Sequence, residues 1–93
     1  MGIGRIEVYL HSDATTAHKG GAMIRVTAQS DFGARTTEFI EFCRHAAQLA
    51  YAAQADSWEA VIAVYPDAEI NRAALAEILH ERVIIDRILR LQI

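Results

Sequence analysis

Ile24-Arg25-Val26-Thr27-Ala28-Gln29-Ser30-Asp31-Phe32-Gly33-Ala34-Arg35-Thr36-Thr37-Glu38-Phe39 holds two hydrophobic periods and the break between them. From Ala22 to Ala28 the pattern alternates. Ala22, Ile24, Val26 and Ala28 lie opposite Met23, Arg25 and Thr27, the spacing of a half-buried strand. Ser30-Asp31-Phe32-Gly33 stops the alternation. Thr36 or Thr37 then caps a helix, with Glu38 and Glu41 near its positive end. Phe39, Phe42, Cys43, Ala46, Leu49, Ala50 and Ala53 recur at helical spacing, and Glu38, Glu41, Arg44, His45 and Gln48 form the wet side. A strand–turn–helix unit therefore sits at the centre of the fold.

Upstream, Arg5 to His11 alternates as well. Ile6, Val8 and Leu10 share one face, which the pattern assigns to the core, and Glu7, Tyr9 and His11 share the other. The turn-rich Ser12 to Gly21 joins this strand to the next as a long hairpin. Downstream, Gln54-Ala55-Asp56 is a loop. Ser57 caps a short helix through Trp58, Val61, Ile62 and Tyr65, which Pro66 ends. Asp67 is placed to cap a third helix with Ala74, Leu75, Ile78 and Leu79 inside. The tail, Arg82 to Ile93, admits two readings. As a helix, Ile84, Ile85, Ile88 and Leu89 form a stripe. As a strand, Val83, Ile85, Leu89, Leu91 and Ile93 point inward and Arg87 interrupts them. The β-branched run Val83-Ile84-Ile85 leans toward strand.

The chain has 93 residues, 53% of them hydrophobic and 23% charged, which suits one small globular domain over residues 1–93. Residues 1–50 carry five basic and five acidic groups. Residues 51–93 carry four and seven, so the second half holds the whole net charge of −3. Lys19 is the only lysine. Phosphate backbones and anionic membranes need denser basic clusters, so nucleic acid and membrane are not expected partners. The apolar stretch from Ala46 to Ala55 is too short to span a bilayer. A single cysteine, Cys43, excludes a disulfide framework, and a reducing cytoplasmic location is the default.

The sequence offers no catalytic constellation, cofactor motif or metal motif. His11 and His18 flank the hairpin loop and read as solvated side chains rather than metal ligands. Cys43 lies on the apolar stripe of the long helix, where a thiol is inert packing. Lys19-Gly20-Gly21 lacks the spacing of a phosphate-binding loop. An enzyme is therefore not expected.

Thr27-Ala28-Gln29-Ser30-Asp31-Phe32-Gly33-Ala34-Arg35, followed by Phe39, resembles the strand–turn–helix signature of translation elongation factor Ts. That family shows an aliphatic strand, then Thr-Asp-Phe-Val-Ala-Arg/Lys and a later Phe. Gly4-Arg5-Ile6-Glu7-Val8-Tyr9-Leu10-His11 is similar to its preceding strand. Arg72-Ala73-Ala74-Leu75 and His80-Glu81-Arg82-Val83-Ile84-Ile85-Asp86-Arg87 are similar to its later helix and Gly-Glu-Asn-Ile strand. Ser30 stands for the usual Thr and keeps a hydroxyl cap. Gly33 stands for an apolar residue and is expected to loosen the turn. His80 and Arg82 stand where the family has Gly and Asn. The resemblance is to the first core subdomain alone. It implies an α+β fold of order β-β-α-α-α-β, a three-stranded antiparallel sheet with helices packed on one face. Strands are then expected at about residues 4–11, 22–29 and 83–92, and the tail becomes a strand.

The resemblance also implies a function, promotion of GDP release from elongation factor Tu in translation elongation. Carried over, Phe32 is the wedge that enters the GTPase and Asp31 is its polar neighbour. Arg35 buttresses the turn or touches the partner, and Leu79 and His80 align with a second contact. The alternative is a non-catalytic interaction or structural domain that keeps the fold without the exchange activity. An exposed Phe32 favours the first reading, and a Phe32 stapled into the core favours the second. A sheet covered on one face leaves the other open. Tyr9, Met23, Ile84 and Ile88 are expected there, covered by a second copy in a homodimer.

Overall fold

The computed structural model describes residues 2–93. The elements run β1 (Ile3–His11), β2 (Gly20–Ala28), α1 (Asp31–Ala34), α2 (Thr37–Ala52), α3 (Trp58–Val64), α4 (Asp67–Leu79) and β3 (Ile84–Gln92). The strands form one antiparallel sheet in the order β1-β2-β3. The α+β architecture and the strand character of the tail are as the sequence leads one to expect, with one short extra turn, α1. No helix among the described residues is long and apolar enough to cross a membrane.

Hydroxyl caps punctuate the helices. Thr36 starts α2 by accepting from the Phe39 amide at 3.2 Å, and Ser57 does the same for α3 with Ala60. Such caps satisfy amides that the first turn leaves without a partner. At α4 the expectation changes. Asp67 is the first helical residue, and Pro66 occupies the cap with no side-chain hydrogen bond. The Ala68 and Glu69 amides donate instead to the Tyr65 and Pro66 carbonyls at 3.0 and 3.2 Å, so backbone groups serve where an Asp cap was expected.

α2 lies across β1 and β2 and carries the core. Phe39, Cys43, Ala46, Ala47 and Ala50 are buried against Ala22, Ile24 and Val26. The alanines let the helix backbone approach the sheet closely. α4 packs on α2 through Ala68 and Leu75, with Ala76 and Leu79 half-buried. Its inner row is therefore offset from the expected one, and Ala74 and Ile78 face solvent.

β1, and β3 beyond its bulge, reverse the faces the sequence leads one to expect, whereas β2 keeps them. In β1 the half-buried side chains are Arg5, Glu7, Tyr9 and His11, while Ile6, Val8 and Leu10 are exposed. Tyr9 packs on the helical layer beside Tyr51, with ring centroids 5.7 Å apart. In β3 a bulge shifts the register between Arg25 and Val26, leaving Asp86 unpaired in the ladder. The extra residue turns the strand over. Ile85 and Ile88, three apart, both point at the helices, whereas Leu89 and Leu91 point away. Tyr9 and Ile88 are thus removed from the open face, and Met23 and Ile84 remain on it. Cross-strand rows of that face are Thr27–Ile84, Ile6–Arg25–Arg87, Val8–Met23–Leu89 and Leu10–Gly21–Leu91. Arg25 pairs with the bulged Asp86 at 2.8 Å.

Candidate functional site

The turn after β2 is the part of the molecule with the most unusual combination of properties. α1 is a single turn of four residues. A turn this short does not stabilise itself, because one or two hydrogen bonds do not offset the ordering of the backbone. Its order comes from side chains. Ser30 Oγ accepts from the Gly33 amide at 3.0 Å and caps the turn. Thr36 Oγ1 donates to the Gly33 carbonyl at 2.9 Å and closes its other end.

From this held turn Phe32 projects into solvent with 82% of its surface exposed. An aromatic ring of that exposure gains nothing from the core, so the staple reading of Phe32 does not describe the structure. Asp31 is exposed beside it in the first turn. Arg35 is the exposed C-terminal cap, its amide donating to the Phe32 and Gly33 carbonyls.

Leu79 and His80 end α4. Leu79 is half-buried against the core, and its accessible edge is small. His80 is exposed and left-handed, with φ 54° and ψ 38°. Its conformation ends the helix, and the Glu81 amide donates to the Ala76 carbonyl at 3.1 Å. Glycine adopts such a position without strain.

The bend at His80 delivers Glu81 to the turn. One carboxylate oxygen of Glu81 accepts from the amides of Gln29 and Ser30 at 2.9 and 3.0 Å. The other accepts from Ser30 Oγ. In return the Arg82 amide donates to Gln29 Oε1 at 2.7 Å. These bonds, led by the Ser30 hydroxyl, hold the Glu81 carboxyl below the usual carboxylate range. Asp31, Phe32 and Arg35 are thereby tied to the segment that carries Leu79 and His80. Gly33 is buried beneath the Glu81 carboxylate. Glu81 and Gln29 are site residues that periodicity could not single out. The one signal for Glu81 was its match to the second position of the Gly-Glu-Asn-Ile motif.

The remaining candidates lie on β1, the hairpin loop and α2. His11 Nδ1 is hydrogen-bonded to the Tyr9 hydroxyl at 2.9 Å, and its ring stacks on Tyr51 with centroids 5.0 Å apart. His18 is exposed in the hairpin loop. Cys43 is fully buried, and burial pushes its thiol up to about 12. Among the described residues no three His, Cys, Asp or Glu side chains gather as a metal would require.

Sequence comparison adds to this geometry. Over 66 residues the chain is 39% identical to elongation factor Ts of Corynebacterium glutamicum (strain R), covering 71% of this chain. It is 42% identical over 67 residues to elongation factor Ts of Corynebacterium urealyticum, and 46% identical over 41 residues to that of Rubrobacter xylanophilus. The chain is similar to a part of elongation factor Ts. That part is about a quarter of the two corynebacterial relatives, 24% and 25% of their lengths. No family model matches the chain.

Proposed function

We propose that the chain is an elongation factor Ts-like module that binds elongation factor Tu and promotes GDP release in translation elongation. The observation that carries this reading is the exposure of Phe32 on a turn that its neighbours hold in place. An aromatic ring kept in water is a costly feature unless a partner receives it, and a pre-ordered anchor loses little entropy on docking. Asp31 and Arg35 flank the anchor, and Glu81 ties its turn to the segment that carries Leu79 and His80. A partner that accepts Phe32 better without GDP is one whose GDP affinity falls when the module binds, because linkage is reciprocal.

Micromolar or weaker affinity is expected, since the chain spans a quarter of its relatives, and micromolar corresponds to about −8 kcal/mol. Truncating a central anchor costs roughly 2 kcal/mol or more, so Phe32→Ala should weaken binding about thirtyfold. Titration calorimetry against elongation factor Tu tests the binding, and release of a fluorescent GDP analogue tests the exchange. Equal affinity of wild type and Phe32→Ala would refute the anchor role.

The open sheet face supports a second element of the reading, association of two copies. Ile6, Val8, Leu10, Met23, Ile84, Leu89, Leu91 and Ile93 are each 42% exposed or more. Together they offer on the order of 800 Å² per copy, about what each partner contributes to a standard interface. A shallow cavity of about 540 Å³ over Gly21, between Leu10, Met23 and Leu91, can receive side chains of a second copy. Val8→Glu with Leu89→Glu should leave a folded monomer by sedimentation equilibrium. A wild type that sediments at 10.3 kDa at high micromolar concentration would overturn the dimer and leave the Phe32 site untouched.

A further inference from the structure

We propose that Glu81 is the positioning residue for Phe32, with Gly33 leaving open space beside its carboxylate. The proposal rests on the reading of Phe32 as the anchor and adds to it the group that aims the ring. Phe32 has no packing of its own to set its direction, being 82% exposed. Its direction is set by the backbone of residues 29–33. That backbone is held from fifty residues away by both oxygens of one carboxylate, through the amides of Gln29 and Ser30 and the hydroxyl of Ser30.

The hydroxyl relays the hold. Ser30 Oγ donates to Glu81 and at the same time accepts from the Gly33 amide at 3.0 Å. The chain of bonds therefore starts at Glu81 and ends on the residue that follows Phe32. An ionised carboxylate is the strongest acceptor available for such amides, and the lowered proton affinity of Glu81 agrees with that use. The Arg82 amide, bonded to Gln29 Oε1, locks the two loops from the other side.

Gly33 explains why the contact is this close. A Cβ built on Gly33 would lie 2.7 Å from both carboxylate oxygens of Glu81. That is inside contact distance, so a side chain at position 33 would make the flexible end of Glu81 shift, and glycine leaves it where it is.

The test is a double-mutant cycle joined to a measurement that needs no partner. Without partner, amide hydrogen exchange of Gln29, Ser30 and Gly33 should accelerate roughly tenfold or more in Glu81→Ala, while Ile24 and Val26 in the core keep their protection. Glu81→Gln, which retains an acceptor for the two amides, should produce less. Unchanged exchange at all three amides in Glu81→Ala overturns the clamp. With elongation factor Tu, Glu81→Ala should weaken binding about tenfold in the wild-type background and have no further effect in Phe32→Ala. An equal loss in both backgrounds means that Glu81 acts without Phe32, and overturns the positioning role. A wild type that does not bind elongation factor Tu refutes the anchor reading, and with it the aim of Phe32 at that partner. The exchange data still decide whether Glu81 holds the turn.

Discussion

Ile88 and Leu89 are neighbours in β3, and their truncations should cost very different amounts. Ile88 is 4% exposed and Leu89 is 50% exposed. Ile88→Ala removes three buried carbons, worth about 2.4 kcal/mol at roughly 0.8 kcal/mol each. The cavity left under the helices adds to this, giving about 3 kcal/mol, inside the usual range of 2–5 for Ile to Ala. Leu89→Ala removes the same number of carbons, half in water already and with no cavity, for about 1 kcal/mol or less. Urea unfolding below the association concentration measures both. With an m-value near 1.5 kcal/mol/M, Ile88→Ala should lower the midpoint by roughly 2 M and Leu89→Ala by roughly 0.7 M or less. The comparison is a direct test of the bulge at Asp86. In a regular ladder Leu89 would join Ile85 inside and Ile88 would point out, so the costs would reverse. Equal losses, or a larger loss at Leu89, would refute the assignment of faces.

Three further outcomes are expected. Glu69 is held below its ordinary value of 4.5, chiefly by Arg72 at 2.6 Å, with the Trp58 indole donating at 3.0 Å. A carboxyl with a lowered folded pKa contributes stability above its unfolded value and loses it as pH falls through the folded one. The melting temperature should therefore drop below about pH 4.5, and drop less in Glu69→Gln, with a modest effect because the pair is partly exposed. Cys43 should not react with a thiol reagent at pH 8 in the native protein and should react at the free-thiol rate in urea, because it is buried and its thiol is pushed up to about 12; fast native labelling would refute the packing of α2. His80→Gly should stabilise the fold by about 1 kcal/mol in thermal melts, by relieving a left-handed residue that bears a Cβ.

The Ser57 cap was legible, the cap of α2 was legible to within Thr36 or Thr37, and that of Ser30 through the family resemblance, because a cap is a local bond between residues three apart. So was the stripe of α2, where the helical period and the buried set coincide at Phe39, Cys43, Ala46 and Ala50. The candidate turn could be located from Asp31 and Phe32, yet whether Phe32 faces water or core was open. What lies over Gly33 was not legible, since a glycine carries no record of what occupies the space its missing side chain leaves.

Local pattern, taken alone, determines where this chain alternates, where it turns helical and where it stops, because those depend on residues a few positions apart. The order β-β-α-α-α-β follows once the tail is a strand. Tertiary structure alone decides the rest. A period of two says that a strand has two faces and is silent about which one meets a helix. In β1 the more apolar face, Ile6, Val8 and Leu10, is outside, and Arg5, Glu7 and Tyr9 lie under the helical layer. In β3 one bulged residue, Asp86, exchanges the faces of everything after it. The hold of Glu81 on Gln29 and Ser30 joins positions more than fifty residues apart, a contact that exists only after the sheet and α4 have brought the two loops together.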